Sequence, residues 1–430
     1  MSISWRFVVF LALGIVPIVY FDSIVPLGWW LLALLIIVIV DLAIAGSPRA
    51  LRFERRLPQA IRLGESTSAE LFVTNTGRRR ISGRLRDGWQ PSAGAVNNHR
   101  PIVIPPGERR SIVVALTPFR RGERRAVHVT VRSFGPLGFA ARQASILAPG
   151  AIKVLPPFNA RKHLPSRLAK LRELDGATSV MVRGQGTEFD SLRDYVRGDD
   201  VRSIDWRATA RRKDLVVRTW RPERDRRVVI VVDSGRTSAA RIDNEPRLDT
   251  AFESALLLAA LATRAGDRVD LVIYDRRVRG RVQGATGPEL LNRMVNAMAT
   301  VDPELIEMDW SVVPGLVRSI SSSRALVILA TSIDAPGASR GLLAMLPQLS
   351  KKHLVVVSSV IDPDVLATTE QRANREDVYL AAAAERTLLD TARVSAAIRQ
   401  SGAEVVTGSP SDLPPALADR YIALKAAGRL

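Results

Sequence analysis

The apolar residues of this chain are most concentrated in its first 46 positions, where two apolar stretches follow one another. The first covers residues 5–21, and the second covers residues 24–45. Because a membrane-spanning helix needs roughly 20 apolar residues, both stretches are near the required length. The pattern predicts a transmembrane helical hairpin over residues 1–46. A cleaved signal peptide followed by a buried helix is the alternative, but no small-residue cleavage site follows the first stretch.

The next region, residues 47–155, contains short segments rich in β-branched residues, with turn sequences between them. The clearest of these segments are 67–73, 111–116 and 126–131. The turn sequence Asn75-Thr76-Gly77 follows the first of them. Repeated short strands at this spacing are typical of small antiparallel sandwiches. We therefore predict an all-β sandwich domain over residues 47–155.

Apolar strands and helical segments alternate in residues 226–430. The strands are predicted at 226–233, 269–274, 325–330, 354–360 and 404–407, and the helices at 248–265, 288–300, 341–349, 378–400 and 413–427. This alternation predicts an α/β doubly wound domain. Ligands of such sheets bind at the carboxyl ends of the strands, so we expect a site next to Asp233, where the first strand ends. Residues 156–225 form a connecting segment.

The positions of the basic residues predict the orientation of the apolar hairpin. Arg6 lies at its start, and the turn between the two stretches has no Lys or Arg. Four arginines follow the hairpin closely: Arg49, Arg52, Arg55 and Arg56. Because positive charge is retained on the cytoplasmic side, both termini are predicted to be cytoplasmic. The chain is thus predicted to be a two-pass protein of the plasma (inner) membrane, with the lipid bilayer as a partner.

The net charge and the lack of cysteine limit which partners and which reactions this chain can have. The formal net charge is +19. The basic residues are scattered among acidic ones, without a recognisable nucleic-acid-binding motif, so we expect no nucleic-acid partner. A basic body beside an anionic membrane gains roughly 1 kcal/mol for each Lys or Arg near the surface, which favours membrane apposition. The chain has no cysteine, which excludes disulfides, thiolate nucleophiles and Cys-based metal sites.

A charged stretch in the connecting segment is the most distinctive part of the sequence. Residues 186–200 read GTEFDSLRDYVRGDD, and residues 202–211 read RSIDWRATAR. Together with the N-terminal apolar hairpin and the closing sequence YIALK at 421–425, this stretch closely resembles the bacterial "domain of unknown function 58" family. We call residues 186–211 the signature segment.

The family resemblance implies that residues 226–430 are similar to von Willebrand factor A domains. It also implies a partner, because members of the family are commonly encoded beside MoxR-type AAA+ ATPases. On this basis the chain is expected to be a membrane-anchored adaptor that works with such an ATPase in the assembly or maturation of protein complexes.

Von Willebrand A domains often hold Mg²⁺ through an Asp-x-Ser-x-Ser motif, together with a threonine and an aspartate from other loops. The matching residues here are Asp233, Thr237, Thr286 and Asp334. Gly235 stands at the middle position of the motif and has no side-chain oxygen, and Ser332 stands where an aspartate is expected. Since Mg²⁺ requires a full set of oxygen ligands, we expect at most weak Mg²⁺ binding and no other cofactor. The alternative is an ordinary turn capped by these side chains.

The acidic residues of the signature segment allow a second hypothesis, a metal-dependent hydrolase, because clustered carboxylates can hold metal ions for hydrolysis. Arginines interleaved with the acids favour structural ion pairs or docking of a partner instead. We expect the aromatic residues of the segment to pack against the α/β domain. No Walker or Gly-x-Ser-x-Gly motif is present, so no catalytic residue and no small-molecule substrate are predicted. The candidate docking or structural residues are Glu188, Phe189, Arg193, Tyr195, Gly198, Asp199, Asp200, Asp205, Trp206 and Arg207.

Overall fold

The N-terminal apolar stretches form two helices, α1 (Trp5–Leu13) and α2 (Val25–Ile44). The computed structural model describes residues 2–16, 20, 23–181, 188–197, 199–212, 214–221, 226–243 and 245–430, with the backbone alone at 175–181, 188–191, 212 and 219–221. Among these residues, one helical stretch, Val25–Ala50, is long and apolar enough to cross a bilayer, with a mean hydropathy of 2.6. One apolar N-terminal helix is therefore confirmed, whereas a second span is not.

The chain divides into two compact units, Met1–Leu155 and Pro156–Leu430. The finer predicted division, with further boundaries after residues 46 and 225, stays a prediction. After the two helices, the first unit is all β, as predicted. Its strands are β1 (Ser2–Ile3), β2 (Leu51–Arg56), β3 (Ala60–Arg62), β4 (Thr67–Asn75), β5 (Ile81–Trp89), β6 (Ala95–Val96), β7 (His99–Ile104), β8 (Arg109–Leu116), β9 (Gly122–Phe134) and β10 (Ala140–Leu155).

These strands form two sheets that share a core. One sheet has the order β1-β10-β9-β5-β7, with β3 parallel to β10, and the other has the order β2-β4-β8-β6. Side chains of β4 alternate between buried and partly exposed, as expected for a strand with one face inside. Its Leu71 and Val73 pack in one cluster with Ile81 and Leu85 of the facing sheet. Burial of these apolar faces stabilises the unit.

The second unit contains the remaining elements. The helices are α3 (Leu164–Met181), α4 (Trp206–Arg212), α5 (Arg247–Arg264), α6 (Gly287–Ala299), α7 (Val313–Ile320), α8 (Arg340–Ser350), α9 (Pro363–Thr368), α10 (Arg375–Gln400) and α11 (Leu413–Ala426). The strands are β11 (Glu188–Asp194), β12 (Val216–Arg221), β13 (Arg227–Asp233), β14 (Arg241–Ile242), β15 (Glu245–Pro246), β16 (Arg268–Tyr274), β17 (Val278–Val282), β18 (Leu326–Ala330), β19 (Leu354–Val360) and β20 (Glu404–Gly408).

A six-stranded sheet is the centre of the second unit, with the order β17-β16-β13-β18-β19-β20. All neighbouring strands are parallel except β16 and β17. Strand β13 is buried from Val228 to Asp233, because helices cover both faces of the sheet. Helices α7, α8 and α10 share the core of one face. Helix α5 is buried from Leu248 to Ala262, since α11 and the sheet pack against it.

Part of the signature segment forms a small hairpin with the residues that follow it in the chain. Strands β11 and β12 pair antiparallel, and α4 lies between them in the chain. The backbone N–H of Asp205 donates to the carbonyl of Val216, which ties the start of α4 to β12. Ile204, Val216 and Val217 are buried.

Candidate functional site

The site expected next to Asp233 lies at the carboxyl end of the central strand β13. Asp233 ends this strand, and Thr331 begins the loop after the neighbouring parallel strand β18. Parallel strands end at the same edge of a sheet, so side chains 98 positions apart in the chain meet here. Asp233, Thr237, Thr331, Ser332 and Asp334 all line one pocket at this edge.

The carboxylate of Asp233 is almost completely buried and is held by hydrogen bonds from the chain itself. Thr331 Oγ1 donates to Oδ2 at 2.7 Å, and the backbone N–H of Gly235 donates to Oδ1 at 2.7 Å. Thr237 Oγ1 makes a longer contact of 3.5 Å. Burial raises the pKa of Asp233 above its usual value, and these donors offset part of that rise. The hydroxyl group of Thr331 is thus engaged by the Asp233 carboxylate.

Gly235 is required here because another segment covers the turn. A Cβ atom at this position would lie 2.8 Å from the carbonyl oxygen of Ile306 and 3.4 Å from the backbone nitrogen of Met308. The same segment forms two backbone hydrogen bonds with the turn. The N–H of Arg236 donates to the carbonyl of Ile306 at 2.8 Å, and the N–H of Glu304 donates to the carbonyl of Ser234 at 2.9 Å. A serine therefore cannot be placed at residue 235 without moving this segment.

The four candidate metal residues do not all meet. Asp334 lines the pocket, but its carboxylate accepts hydrogen bonds from Ser332 Oγ at 2.8 Å and from Arg247 at 3.2 Å. Thr286 is not among the residues that line the pocket and instead precedes α6. In the part of the chain that the structure describes, no three His, Cys, Asp or Glu side chains are grouped so as to hold a metal ion.

The rim of the pocket combines charge with apolar surface. Arg236 forms an ion pair with Glu307, at 2.6 Å, and both side chains are more than half exposed. Met308 and Trp310 are partly buried against the sheet core. The rim thus combines groups that can form hydrogen bonds with apolar surface, and the Asp233 carboxylate beneath it already accepts hydrogen bonds from the chain.

Asp199 and Asp200 of the signature segment accept hydrogen bonds from within the segment. Arg193 pairs with Asp199 at 2.6 Å, and Asp199 also accepts from the backbone N–H of Val196 at 2.9 Å. Asp200 accepts from the N–H of Arg202 at 2.9 Å. Gly198 lies outside the described residues, as do the side chains of Glu188 and Phe189.

Among the described side chains of the segment, Asp205 accepts hydrogen bonds from three different residues. Its carboxylate accepts from the backbone N–H groups of Arg207 and Ala208, at 2.9 and 3.0 Å, and from Arg218 at 2.8 Å. The backbone bond from Ala208 and the bond from Arg218 hold the pKa of Asp205 below its usual value. Asp205 therefore caps the start of α4 and joins it to β12.

The expectation that the signature aromatics pack against the α/β domain is wrong for Trp206. This side chain is 67% exposed. Trp206 is the first residue of α4, directly after the capping Asp205, and the buried contacts of this hairpin come from Ile204, Val216 and Val217 instead. Tyr195 is half-buried.

Several buried polar clusters were missed from sequence because their partners are distant in the chain. Glu253 in α5 accepts from the backbone N–H groups of Asn159 and Ala160, at 3.0 and 3.2 Å. Asp267 is bonded by the Tyr421 hydroxyl and, at 3.0 Å, by Lys425. The i, i+4 spacing of Tyr421 and Lys425 places both on one face of α11, and the closing YIALK sequence was the available signal.

Comparison with solved structures finds matches that cover 24% of this chain. One is the CARDB domain of the PF1109 protein from Pyrococcus furiosus, in complex with di-metal ions, with 19% identity, 91% of that chain covered and a TM-score of 0.20. Another is the beta-glucosidase from Listeria innocua, with 14% identity, 16% of that chain covered and a TM-score of 0.17. TM-scores this low support no conclusion about this chain.

Comparison by sequence is more informative. The uncharacterized proteins Rv1480 of Mycobacterium tuberculosis and Mb1516 of Mycobacterium bovis are each 26% identical over 192 residues, 44% of this chain. The match spans 60% of the length of these relatives. Residues 191–401, just under half of the chain, match the family model described as "Protein of unknown function DUF58". The second unit of this chain is thus similar to the DUF58 family.

Proposed function

We propose that this chain is a membrane-anchored interaction protein whose signature segment docks a partner. The observation that carries the proposal is the exposure of apolar side chains in this segment. Trp206, Val196 and Val201 are all more than 60% exposed. These three side chains are within eleven residues of one another in the chain, and large exposed apolar side chains grouped in this way are typical of contact sites for other proteins.

The charges around these side chains indicate the chemistry of the partner. Four arginines of the segment, namely Arg197, Arg202, Arg207 and Arg211, are exposed. Asp199 and Asp205 are engaged by Arg193 and Arg218. Tryptophan and arginine are the side chains that contribute most to protein interfaces, and arginine pairs well with carboxylates. We therefore propose an acidic protein surface as the partner, and specifically a MoxR-type AAA+ ATPase, as the family resemblance implies.

Contacts between the two N-terminal helices support anchoring by a two-pass hairpin. The indole N–H of Trp30 in α2 donates to the carbonyl of Phe10 in α1 at 3.0 Å. A Cβ atom on Gly14 would lie 2.7 Å from the Trp30 ring, so glycine allows this close approach. With the arginines that flank the hairpin, this packing supports a plasma-membrane protein with both termini in the cytoplasm.

We propose that the α/β domain is von Willebrand factor A-like and contributes a second contact surface at the Asp233 pocket. Its central parallel strands and the position of Asp233 support this proposal. Because Thr331 and Gly235 already satisfy the Asp233 carboxylate, we propose contact through the pocket rim, without a bridging Mg²⁺ ion.

The test is direct binding between the purified full chain in detergent and the purified MoxR-type ATPase from the same organism, with and without ATP and Mg²⁺. We expect Trp206→Ala to weaken binding at least about tenfold, since a buried interface tryptophan contributes about 2 kcal/mol or more. Tyr379→Ala is the matched control, because Tyr379 is 65% exposed on α10, away from the signature segment in the chain. Equal loss in both variants, or wild-type affinity in Trp206→Ala, would overturn the docking assignment.

The alternative function is a metal-dependent hydrolase that uses the signature carboxylates. Asp199, Asp200 and Asp205 each accept hydrogen bonds from the chain, which leaves the interaction role better supported. Hydrolysis of a generic phosphoester by the wild-type chain with Mn²⁺, lost in Asp199→Ala, would favour the hydrolase instead.

A further inference from the structure

A carboxylate inside the apolar helix α2 carries the inference. Asp41 lies in the last turn of this helix and is completely buried, although Ile36, Ile39 and Val40 just before it are exposed. Oδ1 of Asp41 accepts from the backbone N–H of Leu137 at 2.9 Å. Oδ2 accepts from the N–H groups of Phe139 and Ala140, at 2.8 and 3.0 Å. Three backbone donors thus hold the carboxyl group of Asp41 in place.

The donors all belong to residues 135–140, the turn after β9 together with the first residue of β10, which we call the clamp turn. Gly135 allows the approach, because a Cβ atom there would lie 2.1 Å from Oδ1 of Asp41. The turn therefore fits around the end of α2, and its backbone replaces the water that would otherwise solvate the acid.

The clamp turn also holds the start of the other helix, α1. The N–H of Ser4 donates to the carbonyl of Phe139 at 3.0 Å, and the rings of Phe10 and Phe139 meet edge to face with centroids 5.0 Å apart. Arg6 donates to the carbonyl of Leu137 at 3.3 Å. The start of α1 and the end of α2 thus meet on a single turn of the β-sandwich.

The surface around the clamp turn has the composition of a membrane interface. Ile3 and Trp5 are more than 60% exposed, Leu137 at the tip of the turn is 47% exposed, and Arg6 is exposed beside them. Tryptophan and arginine are typical of the boundary between headgroups and acyl chains. A carboxylate in the hydrocarbon is costly, so Asp41 is better placed at the headgroup boundary, just below Ile39 and Val40, than in the bilayer core. Leu137, bonded to Asp41, lies at that same level.

We propose that the clamp turn is a bilayer-contact site of the β-sandwich, in which Leu137 enters the headgroup–acyl boundary and Asp41 fixes the depth of α2. This proposal rests on the membrane anchoring proposed above. It adds that the β-sandwich itself touches the lipid, and that a buried acid rather than helix length sets the cytoplasmic end of the span.

The absence of native cysteine makes site-specific labelling a clean test. The full chain carries a spin label at Leu137→Cys and is reconstituted in phosphatidylcholine/phosphatidylglycerol vesicles. Accessibility to dissolved oxygen, which concentrates in lipid, is compared with accessibility to a water-soluble nickel chelate. We expect the oxygen-to-nickel ratio to exceed one at residue 137. It should fall below one at the matched control Leu147→Cys, a 68% exposed leucine about 20 Å further along β10.

A label at Ile39→Cys separates failure of this inference from failure of the anchoring. Lipid exposure at 39 with water exposure at 137 would overturn the bilayer contact and leave the anchor intact. Water exposure at both positions would overturn the membrane anchor as well.

The role of Asp41 is tested in the Leu137→Cys background with Asp41→Asn, because Asn offers one acceptor oxygen to three N–H donors. We expect the label at 137 to become more mobile and its oxygen-to-nickel ratio to fall. An unchanged spectrum and ratio would show that Asp41 does not hold the turn. The ratio measured with Asp41 intact tests the lipid contact even if the Asn variant does not fold.

Discussion

At the scale of single residues, the Asp233 turn shows how one glycine changes the chemistry of a site. Gly235 leaves room for the carbonyl of Ile306, and the covering segment then bonds to the turn. The carboxylate of Asp233 is satisfied by Thr331 and by the turn's own backbone. These donors satisfy much of the hydrogen-bonding capacity of the buried acid.

Gly235→Ser restores the missing hydroxyl of the metal motif, but it places a side chain against Ile306. We expect a loss of about 1–3 kcal/mol in stability from overpacking, and no Mg²⁺ affinity better than roughly millimolar. Thermal unfolding and calorimetric titration of the full chain measure these two effects. Gly315→Ser is the control, because a Cβ atom on Gly315 meets nothing within 4 Å. Tight Mg²⁺ binding by the wild-type chain that disappears in Asp233→Ala would contradict this account.

The raised pKa of Asp233 predicts a pH dependence. Between the usual carboxyl value of 3.8 and the raised value, the folded state keeps a proton that the unfolded state has released. Stability from this group is therefore present at lower pH and decreases as pH rises through that window. Asp233→Asn removes the titrating group, so the stability of the variant relative to wild type should increase as pH rises. The protection of β13 amides from hydrogen exchange measures this relative stability. The control is Asp214→Asn, at an exposed position, for which we expect no such increase. A parallel pH profile for Asp233→Asn and wild type would rule out the assignment.

At the scale of elements, the signature hairpin is held by caps and ion pairs rather than by its tryptophan. Asp205 starts α4 and bonds to Arg218 of β12, while Trp206 faces outward. In the β-sandwich the opposite holds for Trp89, which is 7% exposed and donates to the buried Asp87 at 2.8 Å. The two tryptophans therefore have different roles, one at a surface and one in a core.

These environments predict unequal costs for the same substitution. Trp206→Ala should lower local stability by less than about 1 kcal/mol, since it removes an exposed side chain. Trp89→Ala should cost about 3–5 kcal/mol, because it opens a cavity and leaves Asp87 without one of its donors. Hydrogen exchange of the full chain in detergent measures both effects, in α4 and in β5. If Trp206→Ala exposed the amides of β12 as strongly as Trp89→Ala exposes those of β5, the docking role would lose its basis.

At the scale of the whole molecule, the chain joins an apolar helix, an all-β unit and a unit built on a mostly parallel sheet. The apolar helix and the clamp turn belong to the first unit, and the match to the DUF58 family lies in the second. The proposed anchor and the proposed docking segment thus lie in different units. The orientation of the anchor would decide which compartment the docking segment faces.

Topology is therefore the decisive whole-molecule prediction. A reporter that is active only in the cytoplasm should work when fused after Leu430, and a reporter that is active only in the periplasm should fail. The physical reason is that the arginines flanking the hairpin are retained on the cytoplasmic side of the membrane. Replacing Arg49, Arg52 and Arg56 together should weaken this preference. The opposite reporter pattern in the wild-type chain would refute the hairpin and the cytoplasmic placement.

Local patterns predicted three strands of the first unit and the central parallel strands of the second, with several of the helices between them. Strand β13 was expected at 226–233 and is Arg227–Asp233, because a continuous apolar run is stable only where both faces are covered. Helix α10 was expected at 378–400 and begins earlier, at Arg375. A capping box between Asn374 and Asp377 starts it there, and this signal was overlooked. Strands β5 and β17 were not predicted, since glycine and arginine interrupt their apolar pattern.

The apolar helix, the all-β region, the alternation of central strands and helices in the second unit and the position of Asp233 at a strand end all follow from local sequence patterns. Which polar groups meet depends on the packing of the folded chain. Thr331 reaches Asp233, the clamp turn surrounds Asp41, and Trp206 faces solvent rather than a core. The physical reason is that periodicity records which face of an element is apolar, whereas the partners of a polar side chain depend on how distant elements pack.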